Sequence, residues 1–109
     1  MTFCVACGHP AEHDHHICGR GIAAATVPVC RSCHDDVHAR LRGLGYDHPA
    51  DVLCEGPLGR SELGLRRLVV FLDWCDDLGI PAPIGPVEDA LAALAGLLAD
   101  ALEQGARTR

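Results

Sequence analysis

Two short stretches decide the reading: residues 4–7, CVAC, and residues 30–38, CRSCHDDVH. Each contains a Cys-x-x-Cys pair, a turn that offers two sulfurs to one ion from a compact loop. Brought together by a hairpin, Cys4, Cys7, Cys30 and Cys33 complete the four-sulfur tetrahedron of a structural zinc site. The chain has seven cysteines in all. The odd number, the paired spacing, and a start (MTFCVACGHP) without the charged and apolar regions of a secretory signal favour bound metal over a disulfide framework. A redox role for one pair lacks a thioredoxin-like setting. Cys54 and Cys75 read as small buried apolar residues, and Cys18 takes no assignment.

Working outward, histidine is as abundant as cysteine, and all seven histidines fall in the first 50 residues. Once Ser32 onward is read as a helix, with Val37, Leu41 and Leu44 at helical spacing and Gly43 and Gly45 closing it, His34 and His38 are i and i+4 and share a face. Cys33 is rotated about 100° away. One helix start can therefore serve the zinc staple on one side and present a histidine pair on the other. His15 and His16 fall on an expected strand, where neighbours face oppositely, so a twist or bulge is needed for both to serve one cleft. A second strand is expected over residues 24–29, rich in β-branched residues and ending at the second cysteine pair. The bland alternative, four incidental or purely stabilising histidines, fits poorly with their ligand-like spacing.

The rest of the chain differs in character. Residues 45–59 carry Pro49, Gly56, Pro57 and Gly59 and read as a loop. A second helix is expected from Ser61, as N-cap, to Leu78, stopped by Gly79, and is apolar nearly all round. A third is expected from Val87 to Gln104, with an apolar stripe of Val87, Leu91, Leu94, Leu98 and Leu102. The organisation is thus a zinc-stapled unit over residues 1–45, a loop over 46–60 and an acidic two-helix extension over 61–109. The stripe is expected to cover the second helix, with self-association or a protein partner as the alternative.

Composition sets limits. The net charge is −6, and all nine basic residues are arginine. Residues 1–50 carry a net −1 (four arginines, five acids) and residues 51–109 a net −5 (five arginines, ten acids). This argues against a nucleic-acid carrier that works through bulk positive charge alone. With 49% apolar residues the chain is not disordered throughout, and no run of about 20 apolar residues can span a membrane. A cytoplasmic location is expected.

Taken in order, Cys-x2-Cys, then His15-His16-Ile17, then Val27-Pro28-Val29-Cys30-x2-Cys33-His34-x3-His38 resembles the zinc-stapled branch of the HNH endonucleases, over about residues 4–42. The resemblance implies a small α+β fold: a ββα-metal, treble-clef-like hairpin and helix, followed here by two C-terminal α-helices. It implies a metal-dependent DNA endonuclease of phage or bacterial type, a hydrolase of phosphodiester bonds. His16 matches the general base; His15, His34 and His38 match the ligands of one catalytic divalent metal (Mg2+, Mn2+, Ni2+ or Zn2+); Cys4, Cys7, Cys30 and Cys33 match the structural Zn2+ site. A shifted register would make Asp14 the ligand and His15 the base, but the i, i+4 histidine pair favours the first. Ala25 stands where the family has the asparagine that braces the hairpin. Arg20, Arg40 and Arg42 are the cations expected to meet DNA phosphates. The alternative is a catalytically silent zinc-binding module for protein or nucleic acid. A metal-sensing or metal-trafficking role is the third reading.

Overall fold

The β-branched run at Thr26–Val29 (β2) pairs antiparallel with His13–His16 (β1), with His13 opposite Val29, Asp14 opposite Pro28, His15 opposite Val27 and His16 opposite Thr26. The computed structural model describes residues 2–47 and 56–107, and these form this two-stranded hairpin and three helices, a small α+β arrangement. Alternation buries Val27 and Val29 on β2 and His15 on β1, while Asp14 is exposed. The strands are shorter than expected: β2 lacks Ala24 and Ala25, and β1 stops at His16 before Ile17. There the chain turns, with the Gly19 N–H donating to the His16 carbonyl at 3.1 Å.

The helix α1, Arg31–Gly43, follows Cys30 at once. Cys30 takes the extended N-cap conformation but makes no capping bond with its side chain. Val37 and Leu41 bury the inner face. Past the helix end, Gly45 adopts φ +80, which an L side chain resists, and the Tyr46 N–H returns to the Leu41 carbonyl at 2.8 Å.

The second helix, α2, spans Gly56–Leu78, and the third, α3, spans Ile84–Arg107. Both begin earlier than their sequence signals. Pro57 sits in the first turn of α2, where its missing N–H costs nothing, so residues 56–60 of the expected loop are helical. Ser61 is not the N-cap; it is buried within the helix, and its hydroxyl donates to the Leu58 carbonyl at 2.8 Å. Cys54 lies outside the described residues.

One core joins the two halves of the chain. Ile17, Cys18, Val27, Val29 and Val37 from the hairpin and α1 pack with Leu68, Phe71 and Trp74 of α2 and Ala90 and Leu94 of α3. A half of about 45 residues with few large apolar side chains is too small to close a core alone, and Phe71 and Trp74, both fully buried, supply the missing volume. Trp74 Nε1 also donates to Asp36 Oδ2 at 2.7 Å, tying α2 to α1. The stripe on α3 divides: Leu94 is buried with Ala90, whereas Leu91, Leu98 and Leu102 face outward. No described helix is long and apolar enough to cross a membrane.

Candidate metal centres

The first cysteine pair sits on a knuckle built by the backbone. The Cys4 N–H donates to His9 O at 2.6 Å, Gly8 N–H returns to Cys4 O at 3.0 Å, and Val5 N–H donates to Pro28 O at 2.9 Å, docking the turn on β2. The second pair straddles the start of α1. The Sγ atoms of Cys4, Cys7, Cys30 and Cys33 all lie within 4.8 Å of one another, and Cys7 and Cys30 are 3.5 Å apart. Sulfurs on a tetrahedron with Zn–S bonds of ~2.3 Å would be separated by about 3.8 Å. The group is thus compatible with a zinc site. Burial acts to raise the Cys4 thiol, but the backbone N–H groups of Cys30, Cys7 and Ala6 outweigh it and hold it at about 6. Cys33 moves the other way, well above the thiol range, through burial and then its neighbours Cys30, Cys4 and Cys7. Four sulfurs this close ionise together only beside a cation. His9 Nδ1 is 3.2 Å from Cys7 Sγ, an additional partner that the sequence pattern did not single out.

The second group comprises His15, His34 and His38, whose ligand nitrogens also lie within 4.8 Å of one another. β1 supplies the first and one face of α1 supplies the other two, as the i, i+4 spacing predicts. The rings of His34 and His38 are 4.4 Å apart, and His15 lies 5.7 and 5.1 Å from them. His15 is 2% exposed, with the Phe71 ring 6.1 Å away on its apolar side. Burial, followed by the charges of His38, His34, His16 and Arg67, lowers its pKa to about 3; burial also lowers that of His34. Imidazoles kept neutral keep their lone pairs for a metal. Among the described residues, His15 Nδ1 is a buried nitrogen with no hydrogen-bond partner. Such a group costs roughly 1–3 kcal/mol unless something binds it. The donor set and the orphaned nitrogen both fit an imidazole-favouring divalent ion such as zinc, nickel or cobalt.

All three histidines line an open cleft of about 1010 Å³, shared with His16, Asp14, Arg20, Asp47 and Arg67. His16 reaches it from the last paired position of β1, so the end of the strand does what a twist or bulge was expected to do. Of the three arginines expected at phosphates, only Arg20 is on this cleft. Arg40 pairs with Asp77 of α2 at 2.5 Å, and Arg42 reaches Asp47 at 3.5 Å. The hairpin connection closes without an asparagine: Ala25 O accepts the Ile17 N–H at 3.2 Å, and the Arg60 guanidinium donates to Gly21 O.

Three cleft residues escape the sequence pattern. His13 stacks on His34, with ring centres 4.9 Å apart. Asp47 Oδ1 accepts from His38 Nδ1 at 3.0 Å. Arg67 comes from α2, the acidic extension, and is buried; its Nε donates to Tyr46 O at 2.7 Å. Gly19 has φ +101, a conformation that favours glycine, and the Arg67 guanidinium lies where a Cβ there would sit. The spacing of Cys18 carries no chemistry, and the residue is fully buried in the core, its thiol pushed up to about 11 by that burial. Cys75 is likewise buried, as expected. Comparison of the chain with protein-family models, curated proteins and solved structures finds no match.

Proposed function

We propose that the chain is a metal-dependent HNH-type DNA endonuclease, its hairpin and α1 forming a zinc-stapled ββα-metal unit of treble-clef type. One observation carries the reading: His15, His34 and His38 converge within 4.8 Å in a cleft that His16 also lines. In this reading His15, His34 and His38 hold the catalytic ion, and Cys4, Cys7, Cys30 and Cys33 hold a structural zinc. A divalent ion so held would stabilise charge on a phosphoryl oxygen and on the leaving oxygen. His16 takes the proton from the attacking water, the new P–O bond forms, and the bond to the 3′ oxygen breaks, that oxygen being protonated from solvent. Arg20 and Arg67 provide positive charge for the phosphate on the cleft wall. His16 rather than His15 as the base, with His15 rather than Asp14 as the ligand, accords with His15 being buried and Asp14 exposed.

A second reading, a catalytically silent zinc module for binding protein or nucleic acid, draws on the engagement of Arg40 and Arg42 with Asp77 and Asp47 and on the net charge of −6. A plasmid cleavage assay separates the two. Wild type and His16→Ala are compared with added Mg2+, Mn2+, Ni2+ or Zn2+ and an EDTA control. The nuclease reading expects metal-dependent nicking that His16→Ala reduces by about 10²–10⁴-fold, the usual size of general-base catalysis. If no metal supports cutting by the wild type while zinc stays on the cysteines, the silent module is the correct reading.

A further inference from the structure

The three histidines of the metal centre are held differently. His15 is fixed by burial, and His34 is sandwiched between ring neighbours. Among the described residues, His38 is the one of the three with a carboxylate on its ring: Nδ1 lies 3.0 Å from Asp47 Oδ1. An imidazole can ligate a metal only through an unprotonated nitrogen. A carboxylate that accepts the Nδ1 hydrogen leaves the Nε2 lone pair outward and fixes the plane of the ring.

Asp47 lies four residues past the end of α1, where the chain has left its helix and could take many paths. Two arginines of α2 determine its path. Arg67 Nε donates to the Tyr46 carbonyl at 2.7 Å, and Arg66 Nη1 donates to the Tyr46 hydroxyl at 3.0 Å, with its guanidinium 5.7 Å from the ring centre. The Tyr46 N–H is tied back to Leu41 O at 2.8 Å. Tyr46 is thus clamped at its N–H, carbonyl and hydroxyl, and Asp47 is the next residue. Its second oxygen faces Arg42, 3.5 Å away.

We propose that Asp47 is a positioning residue of the histidine metal centre, selecting the Nε2 lone pair of His38 for the ion, and that Arg66 and Arg67 of α2 hold it in place through Tyr46. The inference rests on the metal-centre reading above. It gives the acidic C-terminal extension a positioning part in metal binding, beyond covering the core.

The test titrates Co2+ into the 109-residue chain with its cysteine site already filled by zinc, following the visible bands of the histidine-bound ion. Wild type, Asp47→Asn, Asp47→Glu, Arg66→Gln and His34→Ala are compared, and the ¹⁵N shifts of the His38 ring are recorded without Co2+. The expected result is one Co2+ site in the wild type, absent in His34→Ala and weakened about 10–100-fold in Asp47→Asn. Asp47→Glu should recover part of that loss, and Arg66→Gln should show a smaller one. The ring shifts should report a proton on Nδ1 of His38 in wild type and a redistribution toward Nε2 in Asp47→Asn. If Asp47→Asn binds Co2+ within about twofold of wild type with an unchanged ring tautomer, the positioning role is overturned. Should the wild type itself take up no Co2+ beyond the cysteine site, the metal-centre reading fails, and this inference with it. A misfolded Asp47→Asn protein would still leave the wild-type tautomer and Arg66→Gln to decide: a proton on Nε2 of His38 in wild type, or an unaltered Co2+ affinity in Arg66→Gln, overturns the proposal.

Discussion

His15 concentrates the chemistry of the cleft in one side chain. Its pKa of about 3 in the fold, set first by burial and then by His38, His34, His16 and Arg67, lies below the ordinary value of 6.5. The unfolded chain therefore takes up this proton first as pH falls. In the metal-free protein, stability from His15 is present above about pH 6.5 and is lost progressively as pH falls toward 3, by up to about 1.4 kcal/mol per pH unit. Urea unfolding of wild type and His15→Gln at pH 7.5 and 5.5 checks this. The wild type should lose more stability between the two pH values, and equal losses would mean that His15 is not buried neutral. Gly19 is a second test at this scale. Gly19→Ala must adopt a positive φ and displace the Arg67 guanidinium, so a loss of roughly 1–3 kcal/mol in thermal or urea unfolding is expected.

Among the elements, α1 has two tasks on two faces: Cys33 in its first turn belongs to the sulfur group, and His34 and His38 to the imidazole group. Cys33→Ser should release the zinc and lower stability by about 3 kcal/mol or more, read as a fall in melting temperature together with loss of zinc by elemental analysis. An unchanged melting temperature would deny the site a structural role. On α2, Gly64 runs counter to helix propensity for a packing reason. A Cβ there would meet Leu94 Cδ2 at 2.6 Å and Ile22 Cγ2 at 2.8 Å, so glycine lets α3 and the hairpin connection approach the helix. Gly64→Ala, normally favourable inside a helix, should instead destabilise by about 1–3 kcal/mol through overpacking. Retained or raised stability would show that the neighbours yield more readily than their burial implies.

The whole molecule depends on the two halves meeting. Phe71 and Trp74 complete the core over the hairpin, Trp74 binds Asp36, and Arg67 reaches the cleft. A fragment ending at Asp47 would lose these groups, including Phe71 against His15. Such a fragment should still take up zinc on its four cysteines but show poor amide dispersion in NMR and no cooperative thermal transition. A cooperatively folding fragment would mean that the zinc staple suffices and that α2 and α3 are accessory. The charge pattern adds an expectation for nucleic acid. With only Arg20 and Arg67 as arginines on the cleft among the described residues, DNA binding should be weak and, with so few phosphate contacts, should fall only modestly between 50 and 200 mM salt, measured by fluorescence anisotropy.

Much of this was legible along the chain because its causes are local. Metal-ligand spacing is a short-range property, so the Cys4–Cys7 and Cys30–Cys33 pairs declare their grouping within a few residues, and helical periodicity alone puts His34 and His38 on one face. The same locality explains the helix boundary errors: Gly56 and Pro57 read as a break, yet serve as the first turn of α2. What tertiary structure decided is which distant side chains meet. Strand alternation puts His15 and His16 on opposite faces but does not say which faces the core; the packing of Phe71 against His15 settles that. Arg40, an open cation in the sequence, is paired by Asp77, thirty-seven residues away. Asp47 and Arg67 reach the cleft only because α2 folds back across α1 and fastens the segment that follows it. Residue spacing alone declares the candidate ligand types and their local grouping, because spacing and periodicity act over a few residues. The surroundings that orient those groups, bury His15 and complete the cleft come from the packing of distant segments, because burial and hydrogen bonding there join groups far apart in the chain.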